Sequence, residues 1–560
     1  MSKIIILGTL ISIIIVNFGH HKWVNDTGVI EWDIKSYYSY LPAAIIHQDM
    51  TLEFLKDSPG IYDKMWPVKT KTDDYLIVTS CGMSILYSPF FLVAHAYAHF
   101  TPHETSGYSL PYRFALSFSA LFYLLLGLVF LRKILKRYFN EWISSLTLLA
   151  IAVGTNLYYY TTYEAPMPHA YNFALIAVFV WLSIRWYEDP RIKNTIIIGL
   201  LFGLITLVRP TNILVLLFFL LWDIKSFKNL KNRVLFFIRR YDLVLLMLLF
   251  FLIAWMPQFA YWKHITGHWL YFSYGEKDAG FFFGNPQIIN ILISYKKGWF
   301  VYTPLMAFAF AGIFFLPKRL PHTFIPVLIY ILAMIYVLSS WWSWWFGGGF
   351  GLRAFIDTYA IMAIPLASLL DVAYRKKTTA IIATIILLTL IWFNTFQIRQ
   401  YRGQAIHYWW MNKEAYWETF LKTRPTERFY EVLTKPNHEK ARKGIYEEVP
   451  VVTEKQKNKE KLMKEYKEYI QNQTHIMDSL RAITKNKKEL NRKVTQYMDE
   501  NIHQYILNAK KEEIEELKAS IQDKSALMDK IHEKAAERNI SVDSMLTLDA
   551  IYLFKQGARE

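Results

Sequence analysis

The sequence predicts an all-α protein: a polytopic bundle of about eleven transmembrane helices followed by a helical C-terminal segment. Of its 560 residues, 53% are hydrophobic and 17% aromatic. The apolar residues form long uniform runs, such as residues 243–255 and 381–393, and such runs are typical of helices that cross a bilayer. Lys and Arg are concentrated in the short loops between the runs, as on the cytoplasmic side of membrane proteins.

The formal net charge is +17, which in a soluble protein would favour nucleic acid as a partner. Here the excess falls in loops beside the spans and in the C-terminal tail, where membrane topology and solvated helix faces account for it. We therefore expect membrane lipids as partners and no nucleic acid. The one cysteine, Cys81, excludes an internal disulfide.

The order of the spans depends on residues 81–100, an apolar run broken by Pro89. If this run does not cross the membrane, nearly every basic cluster between later spans lies on the cytoplasmic side. The first run lacks a small-residue cleavage site, so we interpret it as a retained span. The predicted spans are residues 3–18, 112–131, 142–161, 169–186, 195–208, 211–222, 243–261, 299–316, 323–338, 355–372 and 378–396.

This topology predicts a bacterial inner-membrane protein with a cytoplasmic N-terminus and a periplasmic C-terminus. Residues 1–398 would form the transmembrane domain, with a large outer first loop at 19–110. Residues 399–450 would lie beside the membrane in the periplasm. In the tail, 451–560, apolar residues at helical spacing predict one or two long amphipathic helices, with Ser541 capping a last short helix.

The predicted outer loops bring ionisable and aromatic residues to one side of the membrane. Carboxylates there can act as general bases or bind a divalent metal, and arginine suits a phosphate. The residues are Glu31, Asp33, Glu164, His169, Arg209, Tyr274, Glu276, Lys297, Arg353 and Asp357.

Each of these residues also has an ordinary interpretation. The acids of the first loop can be solvated, His169 can cap a helix, and Arg209 can anchor at the interface. Lys296 and Lys297 are typical of lipid-headgroup contacts. The tyrosines after Asp33 and the tryptophans before Gly347 fit an aromatic belt. The glycines at 347–349 and 351 do not, and they predict tight turns or close backbone contacts.

A first span followed by an outer loop with acids, here Glu31 and Asp33, precedes an apolar helix at 84–99 and a span that begins near Pro111. This order resembles the GT-C superfamily of membrane glycosyltransferases, such as protein mannosyltransferases and aminoarabinose transferases, over about residues 1–420. The resemblance implies a polyprenyl-phosphate-linked sugar donor and a role for Asp33 as catalytic base or metal ligand. The spacing Glu-x-Asp departs from the adjacent acidic pair of relatives, which leaves metal dependence open.

The leading hypothesis is therefore a hexosyl- or pentosyltransferase acting at the periplasmic face. Its catalytic residues would be Asp33, Glu31, Glu164 and His169. Its lipid-phosphate and sugar contacts would be Arg209, Arg353, Tyr274, Glu276, Lys297 and Asp357. No cofactor is certain, although a divalent metal at Asp33 is open.

Two alternatives stay open. One is a non-catalytic scaffold of an envelope-assembly or secretion complex that binds a protein partner through residues 451–560. The other is a transporter, which we rank last because transporters place paired charges near the membrane midplane.

Overall fold

The computed structural model describes residues 1–451, 454–484 and 486–556. Its contacts divide the chain into two compact units. The first consists of Met1–Phe429 and Leu433–Val449, and the second of Tyr430–Val432 and Pro450–Glu560.

The helices up to residue 449 begin with one long apolar helix and a loop region, and continue with the bundle. They are α1 (Ser2–His20), α2 (Asp33–Tyr38), α3 (Pro59–Met65), α4 (Gly82–His99), α5 (Leu110–Tyr138), α6 (Glu141–Val153), α7 (Tyr159–Thr162), α8 (Pro168–Glu188), α9 (Ile192–Val208), α10 (Val215–Leu221), α11 (Phe227–Arg239), α12 (Tyr241–Thr266), α13 (Ile288–Ile293), α14 (Trp299–Tyr302), α15 (Leu305–Gly312), α16 (Leu316–Arg319), α17 (Pro321–Ser339), α18 (Tyr359–Ala373), α19 (Lys377–Arg402), α20 (Lys413–Glu418), α21 (Glu427–Glu431) and α22 (His438–Ala441). The strands are β1 (Val68–Lys69), β2 (Tyr75–Leu76), β3 (Thr434–Pro436) and β4 (Glu448–Pro450), which pair as β1–β2 and β3–β4.

Seven helical stretches among the described residues are long and apolar enough to cross a membrane. They are Ser2–His20, Leu110–Tyr138, Pro168–Glu188, Tyr241–Thr266, Pro321–Ser339, Arg353–Ala373 and Lys377–Arg402. Three shorter apolar stretches accompany them: Glu141–Val153, Ile192–Val208 and Pro210–Leu221. The chain is thus a multi-pass helical membrane protein, as the sequence predicts. The described residues do not confirm the expected count of eleven spans.

Two of the expected spans are interrupted. The span predicted at 299–316 breaks after Tyr302, because Pro304 disfavours the helical conformation of the residue before it. Thr303 leaves the helical region, with φ −141° and ψ 65°. The span predicted at 142–161 ends at Val153. The next residue, Gly154, lies so close to α15 and α19 that a Cβ there would meet side-chain atoms of Leu305 at 3.3 Å and Ile391 at 2.9 Å.

Small residues allow a close helix contact between α9 and α12. A Cβ on Gly199 would lie 2.5 Å from the carbonyl oxygen of Met247, and one on Gly203 would lie 2.6 Å from the Cβ of Ala254. Glycine at these positions lets two membrane helices approach along their backbones, where packing rather than the hydrophobic effect holds them.

The loop after α1 folds against the bundle and shares a core with α9 and α12 through Leu207 and Tyr261. It contains α2, α3 and the β1–β2 hairpin, around a core that includes Leu52, Leu55 and Met65. The apolar run at 81–100 is a single helix, α4, that continues through Pro89 and packs on α2, α5 and α9. Among the described helices, α4 is not one of the seven long apolar stretches.

The segment 223–240, expected as a cytoplasmic loop, contains helix α11. Its basic and apolar residues lie on different faces, and Phe227, Val234 and Ile238 are exposed. An amphipathic helix of this kind is typical of the membrane interface. The sequence prediction missed it because the segment was too basic for a span and was interpreted by charge alone.

From residue 454 on, the described part of the second unit contains six helices, where the sequence predicted one or two long amphipathic helices and a last short one. They are α23 (Glu454–Asn472), α24 (Thr474–Ala482), α25 (Lys487–Ala509), α26 (Lys511–Gln522), α27 (Ser525–Arg538) and α28 (Val542–Gln556). Two apolar clusters form its core, one around Ile514 and Ile551 and the other around Ile470 and Val494. Ser541 accepts a hydrogen bond from the backbone N–H of Ser544 at 3.1 Å, so the predicted cap of the last helix is confirmed.

Candidate functional site

Asp33 begins the site because it stands at the start of α2, directly after the loop turns at Trp32 (φ 54°). Its Oδ2 accepts a hydrogen bond from Nη2 of Arg353 at 2.7 Å. The Asp33 side chain is 40% exposed and that of Arg353 is 16% exposed. Nε of Arg353 also donates to the carbonyl oxygen of Phe346 at 3.1 Å, which fixes the guanidinium while one face of the carboxylate stays accessible.

The glycine-rich loop between α17 and α18 supplies that carbonyl group. Gly347, Gly349 and Gly351 all have positive φ, a conformation that side chains other than glycine's rarely adopt. At Gly349 (φ +131°), a Cβ would also lie 2.5 Å from the hydroxyl oxygen of Tyr160. The predicted tight turns and close backbone contacts are confirmed.

Lys297 is a buried residue that binds the backbone of this loop. Its ammonium donates to the carbonyl oxygen of Gly349 and, at 2.7 Å, to that of Tyr408. The residue is only 2% exposed, so the interpretation as a headgroup contact is wrong. Burial lowers the pKa of Lys297 to about 7; nearby Arg353 adds to the fall and Glu164 opposes it. Lys297 is therefore a buried amino group at the edge of the site that loses its proton near neutral pH.

Lys296, its neighbour, is also buried, and its ammonium lies 2.9 Å from a carboxylate oxygen of Glu448. The tryptophans before the glycines depart from the aromatic-belt expectation too. Trp344 and Trp345 are buried in a cluster with Ala441. The segment after α19 thus covers side chains that were expected to face the membrane interface.

A second carboxylate, Asp357, lies one helical turn after Arg353 and is fully buried. Its Oδ2 accepts hydrogen bonds from Arg209 Nη1 at 3.1 Å, Asn212 Nδ2 at 2.8 Å and Asn172 Nδ2 at 3.3 Å. His169 Nδ1 lies 3.8 Å from its Oδ1.

These groups come from helix ends. His169 is the second residue of α8, Arg209 directly follows α9, and Asp357 lies two residues before the start of α18. The polar cluster therefore lies at one end of the bundle and not at its middle.

Asp33 and the two arginines lie near a pair of tyrosines, Tyr274 and Tyr37. Burial raises the pKa of Tyr274 to about 12; Asp33 adds to the rise, and Arg209 and Arg353 oppose it. Burial is also the largest cause of the raised pKa of Tyr37, followed by Tyr274. Asp33 raises this pKa further, and Arg209 and Arg353 lower it. Both phenols are therefore neutral at physiological pH and lie within electrostatic range of all three charges.

Glu164 lies in the turn before α8, within electrostatic range of Arg353 and Lys297. Its carboxylate accepts a hydrogen bond from the hydroxyl group of Tyr159 at 2.9 Å. It also opposes the burial-driven fall in the pKa of both Lys22 and Lys297. Glu164 thus lies on the Lys297 side of the site.

The remaining predicted acids make local contacts instead. Glu31 pairs with Lys35, one turn later in the chain, at 2.9 Å. Glu276 accepts a hydrogen bond from the hydroxyl group of Tyr271 and, as the largest cause, raises that group's pKa to about 12. Neither contact links these acids to the arginines.

Three residues of the site were missed by the sequence analysis: Asn172, Asn212 and Tyr160. Asn172 had a readable signal, because it is three residues after His169 and such pairs share a helix face. Asn212 and Tyr160 had none, since only the folded chain brings them to Asp357 and Gly349.

Within the described residues, no three His, Cys, Asp or Glu side chains come together as a metal site would require. Asp33, the residue considered as a ligand, has Arg353 as its partner. The residues at hand do not fit a divalent metal at this position.

No family model and no curated protein sequence matches this chain. Among solved structures, the apo oligosaccharyltransferase of Archaeoglobus fulgidus is similar, with a TM-score of 0.43 and 14% sequence identity. The match covers 70% of this chain and 55% of that one, so the chain spans about half the length of that structure. The proposals below rest on the residues of this chain.

Proposed function

We propose that this protein transfers a sugar from a polyprenyl-phosphate-linked donor to an acceptor at a membrane surface. The observation that supports this most is the pairing of Asp33 with Arg353 at the helix ends, beside Arg209 and two neutral tyrosines. A carboxylate that stays accessible can accept a proton. Fixed guanidinium groups can bind a phosphate in two-point contacts.

The reaction would be an inverting displacement. The acceptor oxygen forms a bond to the anomeric carbon, and the bond from that carbon to the phosphate oxygen breaks. Asp33 takes the acceptor proton, and the electron pair leaves with the polyprenyl phosphate. Arg353, held by the carbonyl group of Phe346, would neutralise the charge that develops on the phosphate, and such preorganised stabilisation is usually the largest catalytic contribution.

The donor phosphate would compete with Asp33 for Arg353, because the guanidinium now pairs with the carboxylate. Binding of the donor would thereby free Asp33 for the acceptor. Tyr274 would offer its hydroxyl group to the sugar. Glu164 and Lys297 would shape the opposite wall, and the Asp357 cluster with His169 would hold Arg209 in place.

We further propose the orientation that the basic loops favour, with this site at the periplasmic face of a bacterial inner membrane. A reporter enzyme fused after Arg402, the last residue of α19, tests this directly. Activity specific to the periplasm supports the orientation, and activity specific to the cytoplasm rejects it.

The decisive experiment measures polyprenyl phosphate released by the full chain from donors that carry a hexose or a pentose. We expect Asp33→Asn to lower turnover by a factor of about 10²–10⁴, the usual contribution of a general base. The matched control is Glu53→Gln, an exposed acid in the same loop that pairs only locally with Lys56, and it should retain wild-type turnover. Equal turnover in the wild type and the Asp33 variant would remove Asp33 from the mechanism.

The scaffold alternative makes a different prediction. It requires a stoichiometric partner that co-purifies with the chain, no donor cleavage by the wild type, and full complex assembly by the Asp33 variant. The transporter alternative would require donor-independent passage of a solute across vesicles. Neither has an observation in the site that favours it.

A further inference from the structure

The second unit has a pocket of about 250 Å³ between α23, the start of α24 and α25. Drug-sized ligands occupy clefts of about 300–1,000 Å³, so this pocket suits a smaller molecule. One wall is aromatic. The rings of Tyr466 and Tyr505 stack with centroids 4.1 Å apart, and Tyr469 lies 5.2 Å from Tyr505.

The facing side of α25 carries amides one helical turn apart. Gln504 and Asn508 lie at i and i+4, and Nε2 of Gln504 donates to Oδ1 of Asn508 at 3.4 Å. Asn501 donates to the backbone oxygen of Tyr497 at 2.9 Å. Each primary amide offers two donors and an acceptor with two lone pairs, so these contacts use only part of the capacity of the three side chains.

The described lining of the pocket has no charged side chain, which favours a neutral ligand. Lys and Glu are abundant throughout the second unit, yet none of the described residues that line this pocket is ionised at neutral pH. Lys510, which follows the last lining residue in the chain, pairs with Glu465 at 3.3 Å and Glu513 at 3.7 Å. A charged ligand that entered the pocket would lose part of its hydration and would meet no opposite charge in the described lining, which costs free energy.

We propose that this pocket binds a neutral sugar unit. A pyranose has one face of C–H groups and a rim of hydroxyl groups. The C–H face carries a partial positive charge and suits the negative face of the tyrosine rings, and the hydroxyl groups suit the amides. The proposal goes beyond the glycosyl-transfer site, because it needs neither Asp33 nor the arginines of the first unit.

Saturation-transfer NMR on the full chain tests this proposal, in a detergent whose headgroup is not a sugar. The probes are glucose, galactose and N-acetylglucosamine at millimolar concentration, with glucuronic acid as the charged comparison. We expect saturation of the ring C–H protons of at least one neutral probe. We expect at least a fivefold weaker signal for glucuronic acid.

Two variants locate the binding. Tyr505→Ala removes the central ring, and Asn508→Ala removes an exposed amide without disturbing the packing. Both should lower the signal at least fivefold. The matched controls are Tyr552→Ala, which is 54% exposed on α28, and Asn491→Ala, which is exposed near the start of α25; both should keep the wild-type signal.

Three results would overturn the proposal. The first is no saturation transfer to any neutral probe, and the second is a signal that survives both pocket variants. The third is a neutral tripeptide such as Ala-Ser-Gly that saturates through Tyr505 and Asn508 when the sugars do not, which would assign the pocket to a peptide. Asp33→Asn should retain the sugar signal, so failure of glycosyl transfer and failure of this proposal give different results.

Discussion

Asp33 and Asp357 are both carboxylates paired with arginine, but their surroundings differ. Asp357 is fully buried and receives hydrogen bonds from Arg209, Asn212 and Asn172. Asp33 is 40% exposed and pairs with Arg353 alone. A buried charge with several donors is fixed in place, since losing a partner there is costly. A pair whose carboxylate is partly exposed contributes less to stability and can exchange partners. The two carboxylates therefore suit different tasks: Asp357 holds the helix ends together, and Asp33 can react.

The largest effect on stability is expected for Asp357→Asn. It leaves Arg209, whose side chain is 14% exposed, without its counter-charge. Removing one partner of a buried ion pair costs about 3–5 kcal/mol. Thermal unfolding of the purified protein in detergent should show a clear drop in Tm. Asp278→Asn, an exposed acid in an adjacent loop, should leave Tm unchanged. A wild-type Tm for Asp357→Asn would mean that this carboxylate is not a structural anchor.

The second-largest effect on stability is expected for Gly349→Ala, in the glycine-rich loop between α17 and α18. The positive φ and the 2.5 Å approach to Tyr160 should together cost about 1–3 kcal/mol. Adding Tyr160→Phe removes the clashing oxygen and should recover part of the loss, while the strain of φ remains. Gly280→Ala is the matched control, because a Cβ there meets nothing within 4 Å. Equal Tm values for both single variants would contradict the strained loop.

The lowered pKa of Lys297 predicts that folding stability depends on pH. Its pKa in the folded protein is about 7, lowered from 10.5 chiefly by burial. Between those two pH values the unfolded chain binds a proton that the folded chain does not, so folding stability should rise with pH from about 7 towards 10. Below about pH 7 both states are protonated, and this contribution is constant.

Tm measured at intervals from pH 6.5 to 9.5 should therefore rise in the wild type relative to Lys297→Met. Lys413→Met, at an exposed position, should follow the wild-type curve. Parallel curves for wild type and Lys297→Met would show that Lys297 keeps an ordinary pKa.

The smallest effect on stability is expected for Asp33→Asn, at about 0–1 kcal/mol, because a half-exposed ion pair is worth little. Its Tm should stay near that of the wild type even though the proposed turnover is lost. The reverse outcome, a large fall in Tm with retained turnover, would place Asp33 in the same structural class as Asp357.

Much of the candidate site was readable from residue type and topology. Asp33, Arg353, Arg209 and Asp357 were expected at one end of the bundle, and the structure brings them together there. Glu31 and Glu276 were expected with them and make local contacts instead, because a nearby lysine and a nearby tyrosine satisfy them first. The glycine pattern predicted a strained loop, but not the Lys297 ammonium that holds it.

The sequence by itself determined that the chain is a multi-pass helical membrane protein, because a bilayer requires long apolar helices whose backbone groups are satisfied internally. It also determined the tight glycine loop, since positive φ is a local property. Only the tertiary structure decided which carboxylate is buried and which stays accessible. Asp33 and Arg353 are 320 residues apart in the chain, and the difference between a buried and an accessible acid depends on solvent exclusion, which no local pattern records.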